Sequence, residues 1–163
     1  MNALLPGSFD PFTLGHVDIA LRAANMFDRV TIAVLVNTAK KSVFTADERV
    51  AMIEAALSEL GVSNIDVVSF AGLTAELAYI KRCGVIVRGI RSAADYEYES
   101  AIAAVNAHLA EDIDTVFIPS RPEHSFISSS VVREIAAFNG DIKGLVPNVN
   151  INSIEERLCK HGK

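Results

Sequence analysis

Four short stretches of the chain carry side chains able to hold an anion. Gly7-Ser8-Phe9-Asp10-Pro11 is followed at once by Thr13-Leu14-Gly15-His16. A glycine lets the backbone come close to a ligand, and successive amides at Ser8 and Phe9 can face a negative charge. Thr13 suits a helix N-cap, which puts Gly15 and His16 in the first turn. Free N–H groups and the helix dipole attract phosphate there, and His16 would aim a ring N–H at the same point. A plain cap with a solvated histidine is the competing reading, but the two motifs together favour an anion site.

The other three stretches each follow an apolar run. Lys40 and Lys41 in "NTAKKSVFT" are flexible point charges able to reach over a crevice; alone they would pass for a solvated loop. Arg88 and Arg91 flank Gly89-Ile90, and arginine forks match phosphate oxygens. An ion network with Asp95, Glu97 or Glu99 competes with that role. Ser128-Ser129-Ser130 combines hydroxyls and amides at a helix start. One serine would be enough for a cap, so three favour an anion.

The elements that must position these groups follow from periodicity. Ala3–Leu5, Val30–Val36, Ile65–Phe70, Val85–Val87 and Thr115–Ile118 read as strands buried on both faces. Helical patterns cover 16–27, a run opened by the capping box Thr45–Glu48 and ending near Gly61, then 74–82, 94–110 and 129–139. Asn152 with Glu155 predicts the cap of a last helix. This alternation predicts an α/β fold: a doubly wound, five-stranded parallel sheet with helices on both faces. Ligands of such sheets bind beyond the carboxyl ends of the strands, where the strand order reverses. The anion-holding stretches all lie after strands.

At 163 residues the chain predicts one domain, residues 1–163, with no linker or repeat. Lys and Arg total 15 against 20 Asp and Glu, a net charge of -5. That sign argues against nucleic acid as a partner, since phosphate neutralisation supplies most such affinity. No apolar run reaches the length of a membrane span, and no targeting segment stands at the N-terminus, so a cytoplasmic protein is expected. Cys83 and Cys159 are too far apart in sequence for a metal motif and fit a reducing compartment.

Taken together, Gly7-Ser8-Phe9-Asp10-Pro11, Thr13-x-Gly15-His16, Arg88-Gly89-Ile90-Arg91 and Ile127-Ser128-Ser129-Ser130 resemble the bacterial phosphopantetheine adenylyltransferase family, in order and over nearly the whole chain. Thr-x-Gly-His alone marks only the wider nucleotidylyltransferase superfamily. The resemblance implies a Rossmann-like nucleotidylyltransferase fold. It also implies transfer of AMP from ATP to 4′-phosphopantetheine, giving dephospho-CoA and pyrophosphate in coenzyme A biosynthesis. By the same resemblance ATP contacts fall on Ser8, Phe9, His16, Gly89, Ile90, Arg91, Glu99, His124, Ser125, Phe126, Ile127, Ser128, Ser129 and Ser130. Phosphopantetheine contacts fall on Ser8, Lys40, Thr74 and Arg88. Mg²⁺ accompanies the nucleotide, with no metal ligands assigned on the protein. A homohexamer and feedback binding of coenzyme A are also implied. Ser8 stands where Thr is frequent, Leu5 where Tyr is common, His124 where Trp is frequent, and Thr74 at a variable position.

The absence of a Ser-His-Asp or Cys-His set suits this chemistry. A phosphate monoester has a second pKa of about 6 and is already a nucleophilic dianion near neutral pH. Catalysis then needs in-line positioning and stabilised charge in the transition state. His16, Lys40 and Arg91 are the candidate catalytic residues. His16 would serve the α-phosphate, Lys40 and Arg88 the attacking phosphate, and Arg91 with the Ser128–Ser130 amides the β- and γ-phosphates. Another small nucleotidylyltransferase, acting on nicotinate mononucleotide or glycerol 3-phosphate, and an inert nucleotide-binding domain are the alternatives.

Overall fold

Strands β1 (Asn2–Gly7), β2 (Arg29–Leu35), β3 (Ile65–Phe70), β4 (Val85–Ile90) and β5 (Asp114–Pro119) lie parallel in one sheet, in the order β3-β2-β1-β4-β5. Between and after them run α1 (Leu14–Met26), α2 (Ala46–Glu59), α3 (Thr74–Ile80), α4 (Ala93–Leu109), α5 (Ser129–Ala137) and α6 (Ile151–Leu158). Single 3-10 turns occupy Pro122–His124 and Asn148–Asn150. The computed structural model describes residues 1–37 and 41–159. No helix among them is long and apolar enough to cross a membrane.

Alternate residues of the central strand point to opposite faces, and each face has its own core. Ala3 and Leu5 of β1 pack with Ile32, Val87, Ile19 and Ala23 of α1 and Ile53 of α2. Leu4 packs on the other face with Ala33, Ile86, Leu77 and Ala78 of α3, and Ala110. A third cluster lies apart from the sheet: Phe44 and Met52 meet Ile127, Val132, Ile142, Val146 and Ile154. The chain near Leu145 also reaches α1, because the Leu14 amide donates to the Leu145 carbonyl (2.9 Å).

The sheet opens where the site is to be found. β2 and β3 extend the sheet on one side of β1, and β4 and β5 on the other, so the order reverses between β1 and β4. These two strands pair only at Ala3↔Val85 and Leu4↔Ile86. Pro6 has no N–H to extend that ladder, and its carbonyl accepts from the Arg88 guanidinium instead. Past Leu4 the two strands part, and a crevice begins.

Most element ends shift by one to three residues from the sequence reading, and two of these shifts touch the site. β1 runs to Gly7 and β4 to Ile90, so Pro6-Gly7 and Arg88-Gly89-Ile90 are strand residues and not loop. Pairing with the outer strands holds them, through Pro6↔Ala33, Gly7↔Val34, Gly89↔Ile118 and Ile90↔Pro119. Asn152 does not cap α6. The helix grows from the preceding 3-10 turn, with Asn150 at the cap position making no side-chain cap bond. The Asn150 side chain is buried and donates to the Met52 carbonyl of α2 (3.1 Å).

Candidate active site

A cleft of ≈ 280 Å³ lies at this reversal point. Leu5–Phe9 form one wall, Arg88 and Gly89 the other, and the first turns of α1 and α5 close it. It brings together Ser8, Phe9, His16, Arg88, Gly89, Arg91, Glu99, Ile127, Ser128, Ser129 and Ser130 among the residues singled out in the sequence. A larger hollow of ≈ 570 Å³ lies beside α2 and α6, but Glu48 and Arg157, two of the charged groups there, are bonded to each other.

His16 is held by the residues at the start of its own helix. Thr13 is the N-cap of α1, and its hydroxyl accepts from the His16 amide (3.4 Å). The Thr13 amide donates to His16 Nδ1 (3.0 Å), and the Thr13 hydroxyl also lies 3.0 Å from that nitrogen. An Nδ1 that accepts from an amide carries no proton, so the neutral ring holds its proton on Nε2. The ring stacks on Phe12 at 5.6 Å and meets the edge of Phe9 at 5.1 Å. Burial lowers the His16 pKa from 6.5 to about 4, with the positive fields of Arg91 and Arg88 adding to it. At neutral pH His16 is therefore an uncharged N–H donor.

The turn before α1 is packed as tightly. Phe9 takes a left-handed φ of 48° and folds its ring back over Gly7. A Cβ on Gly7 would lie 2.7 Å from that ring, so any other residue would have to push the ring aside. The Asp10 carboxylate is buried and accepts the amides of Val43 and Phe44, both at 2.9 Å. This fastens the segment that follows the lysine pair to the same turn.

On the opposite wall the arginines are already paired. Arg88 Nε and Nη2 donate to the two oxygens of Glu99, each at 2.6 Å. Arg91 Nε donates to Asp95 (2.9 Å). Of the two readings the sequence left open, the ion network is thus present, and both arginines still line the cleft. Gly89 has a packing reason: a Cβ there would lie 3.0 Å from Ile19 Cγ1 of α1. Ile90 ends β4, its carbonyl accepting from the Ser120 amide (2.7 Å), and does not line the cleft.

The serine triplet divides its labour. Ser128 is the N-cap of α5, accepting from the Val131 amide (3.1 Å). The Ser129 hydroxyl donates to the Pro11 carbonyl (2.8 Å), and Ser130 Oγ accepts from Arg133 (3.3 Å). Three serines are therefore explained without an anion, which corrects the argument from their number. What stays open to a ligand is the pair of amides at Ser129 and Ser130, which helix geometry leaves without intrahelical acceptors.

His124, Ser125 and Phe126 do not line the cleft but stand at its rim. The carbonyls of His124 and Ile127 lie over Gly15 in the first turn of α1, and the Phe126 side chain is exposed. The buried Nδ1 of His124 has no protein partner among the described residues. Thr74 opens α3 behind β3 and does not line the cleft. Lys41 is exposed beside Ser42; Lys40 lies outside the described residues.

Sequence reasoning missed three supporting residues. Thr13 was visible as a cap but not as the group that selects the tautomer of His16. Asp10 was visible only as part of a motif. Arg49 is buried in α2 and donates to the carbonyls of Ser8 (2.6 Å), Thr45 (3.3 Å) and Leu35 (3.4 Å), tying the Ser8–Phe9 turn to β2 and α2. A signal exists in the spacing: Arg49, Met52, Ile53 and Ala56 fall three and four residues apart, which puts an arginine on the helix face that is otherwise apolar and buried.

No three His, Cys, Asp or Glu side chains among the described residues cluster closely enough to hold a metal ion. The carboxylates lining the cleft, Asp95 and Glu99, are bonded to arginines.

Comparison with known proteins agrees with this geometry. The cytidylyltransferase-like family model matches residues 4–135. The chain is 44% identical over 153 residues to the phosphopantetheine adenylyltransferase of Clostridium perfringens, covering 94% of this chain and 92% of that one. It is 49% identical over 147 residues to that of Parasynechococcus marenigrum, covering 90% and 89%. In fold it is similar to the nicotinic acid mononucleotide adenylyltransferase of Plasmodium falciparum, with a TM-score of 0.68, 15% identity and coverage of 95% and 94%. With its five parallel strands, its cytidylyltransferase-like core and relatives this similar along nearly their whole length, the chain belongs to the phosphopantetheine adenylyltransferase family.

Proposed function

We propose that this protein transfers the adenylyl group of ATP to the phosphate of 4′-phosphopantetheine, forming dephospho-CoA and pyrophosphate. The observation that carries the mechanism is His16: a neutral ring with Nδ1 held by Thr13 and its proton on Nε2, in a cleft walled by two arginines. Such a group is a fixed donor and not a general base. The acceptor phosphate supplies its own nucleophile as a dianion. One of its oxygens attacks the α-phosphorus in line, the bond to the β-phosphate's bridging oxygen breaks, and pyrophosphate leaves. The His16 Nε2–H and the amides of the Ser8–Phe9 turn stabilise the charge that builds on the α-phosphate.

The remaining roles divide along the cleft. Arg88 and Lys40 hold the acceptor phosphate; Arg91 and the amides of Ser129 and Ser130 take the β- and γ-phosphates. Mg²⁺, when bound with ATP, offsets charge on the leaving pyrophosphate. Ser8, Phe9, Gly89, Ile90, Glu99 and His124–Ile127 belong to the nucleotide side of this proposal, and Ser8 and Thr74 to the pantetheine side. A cytoplasmic location, a homohexamer and feedback binding of coenzyme A belong to it as well, supported by the family resemblance.

Turnover settles the reading. Purified protein with Mg·ATP should convert 4′-phosphopantetheine to dephospho-CoA, and run the reverse pyrophosphorolysis, while leaving nicotinate mononucleotide and glycerol 3-phosphate untouched. Preferential adenylylation of either of those, or no turnover of any, would refute it.

A further inference from the structure

We propose that Arg49 is a positioning residue for adenylyl transfer. Its buried charge holds the Ser8–Phe9 peptide with the Phe9 N–H turned to the α-phosphate, which supplies the counter-charge that the protein does not. This rests on the reading of the Ser8–Phe9 turn as part of the α-phosphate site. Arg49 stands near the start of α2 and is only 3% exposed. An arginine this buried is ordinarily paired with a carboxylate, yet no ion pair among the described residues includes it. Its donors go to carbonyls: Nη1 to Ser8 at 2.6 Å and Leu35 at 3.4 Å, Nε to Thr45 at 3.3 Å. The buried carboxylate of the same turn, Asp10, accepts the amides of Val43 and Phe44 instead.

The bond to Ser8 reaches the cleft through one peptide. The Ser8 carbonyl and the Phe9 N–H belong to the same planar trans unit, so a group that fixes the oxygen turns the N–H the opposite way. That N–H donates to no described residue, although Phe9 is buried, and Phe9 lines the cleft. A charged donor on the carbonyl polarises the peptide and makes the N–H a stronger donor. Phe9 also holds its left-handed φ of 48°, which a residue other than glycine keeps only where its surroundings impose it. The clamp on the Ser8 oxygen helps to impose it. Arg88 and Arg91 line the cleft and have carboxylate partners. Arg49 does neither, and its charge is left for the ligand.

The test compares two variants of the full-length protein: Arg49→Met, which removes the charge and its donors at similar volume, and Arg49→Lys, which keeps the charge. Arg49→Met should lower kcat roughly thirtyfold, less than the loss of a whole oxyanion donor, and leave the ATP KM within about threefold. Arg49→Lys should return kcat to within about fivefold of the wild type. With nitrogen-labelled phenylalanine, the Phe9 amide proton should move upfield in Arg49→Met and part of the way in Arg49→Lys. Adding Mg²⁺ and α,β-methylene-ATP should move it downfield in the wild type. If Arg49→Met fails to fold, as read by its melting curve, Arg49→Gln, neutral but able to donate, takes its place. An ATP KM that rises at unchanged kcat, a lysine variant no faster than the neutral one, or a Phe9 amide unmoved in the variants would overturn the proposal. A wild-type Phe9 amide that ignores the nucleotide would instead overturn the reading of the turn beneath it.

Discussion

Lowering the pH tests whether His16 is a fixed donor or an ordinary titrating histidine. Its pKa is lowered from 6.5 to about 4, first by burial and then by Arg91 and Arg88. One pKa unit corresponds to about 1.4 kcal/mol, so the full difference is worth about 3 kcal/mol. That is an upper bound, because the ring keeps a partly open edge on the cleft. The sign follows from linkage. Below about pH 6.5 the unfolded chain takes up a proton that the native ring refuses until about pH 4. The contribution is therefore complete above the unfolded pKa and is lost as the pH falls towards the folded one. Between about pH 7.5 and about pH 5 roughly 2 kcal/mol of stability should disappear through this residue alone.

Urea denaturation of the wild type and of His16→Gln at both pH values measures that difference. Nitrogen NMR of the ring should show the proton on Nε2 and no titration above about pH 5. The acid limb of kcat/KM should follow the acceptor phosphate, with its pKa of about 6. A ring protonated on Nδ1, a midpoint near that of free histidine, or equal pH slopes in the two proteins would refute the reasoning.

Four further predictions concern the site and its supports. Thr13→Val should cost about 1 kcal/mol of stability by removing the cap and reduce kcat roughly tenfold by loosening His16, whereas Thr13→Ser should retain both; melting curves and steady-state rates decide. Gly89→Ala should destabilise by about 1–2 kcal/mol, because the new Cβ presses on Ile19, and urea midpoints unchanged from wild type would contradict this. Neutralising Lys40 should raise the KM for 4′-phosphopantetheine more than that for ATP. Pantetheine without its phosphate should not be turned over, since no unpaired carboxylate or basic histidine among the described residues of the cleft activates an alcohol.

Much of this arrangement was legible because it is local. The parallel sheet follows from β-branched runs alternating with capped helices, and the caps at Thr13 and Thr45 were readable from the residue types alone, whereas the residue types did not choose Ser128 among the three serines. What escaped was set by distance along the chain. Arg91 and Asp95 are four residues apart, a spacing that suggests a pair. Arg88 and Glu99 meet only because α4 folds back behind β4, and nothing in the spacing chooses Glu99 over Glu97. The Ser129 hydroxyl bonds to Pro11, which lies 118 residues away, so three adjacent serines looked like one function when they have three. Asn152 failed as a cap because a 3-10 turn already supplies the start of α6.

The third apolar cluster bears on whether the fold can be cut. The family model ends at residue 135, yet Ile142, Val146 and Ile154 complete the packing of Phe44, Met52 and Val132. The Leu145 carbonyl receives the amide of Leu14, one residue after the cap that holds His16. Excising residues 1–135 as a minimal adenylyl-transferring module would bare that apolar surface and release the front of the α1 helix. The core matched by the family model is thus not a portable unit in this chain: residues 136–159 act as a brace on the turn that opens α1.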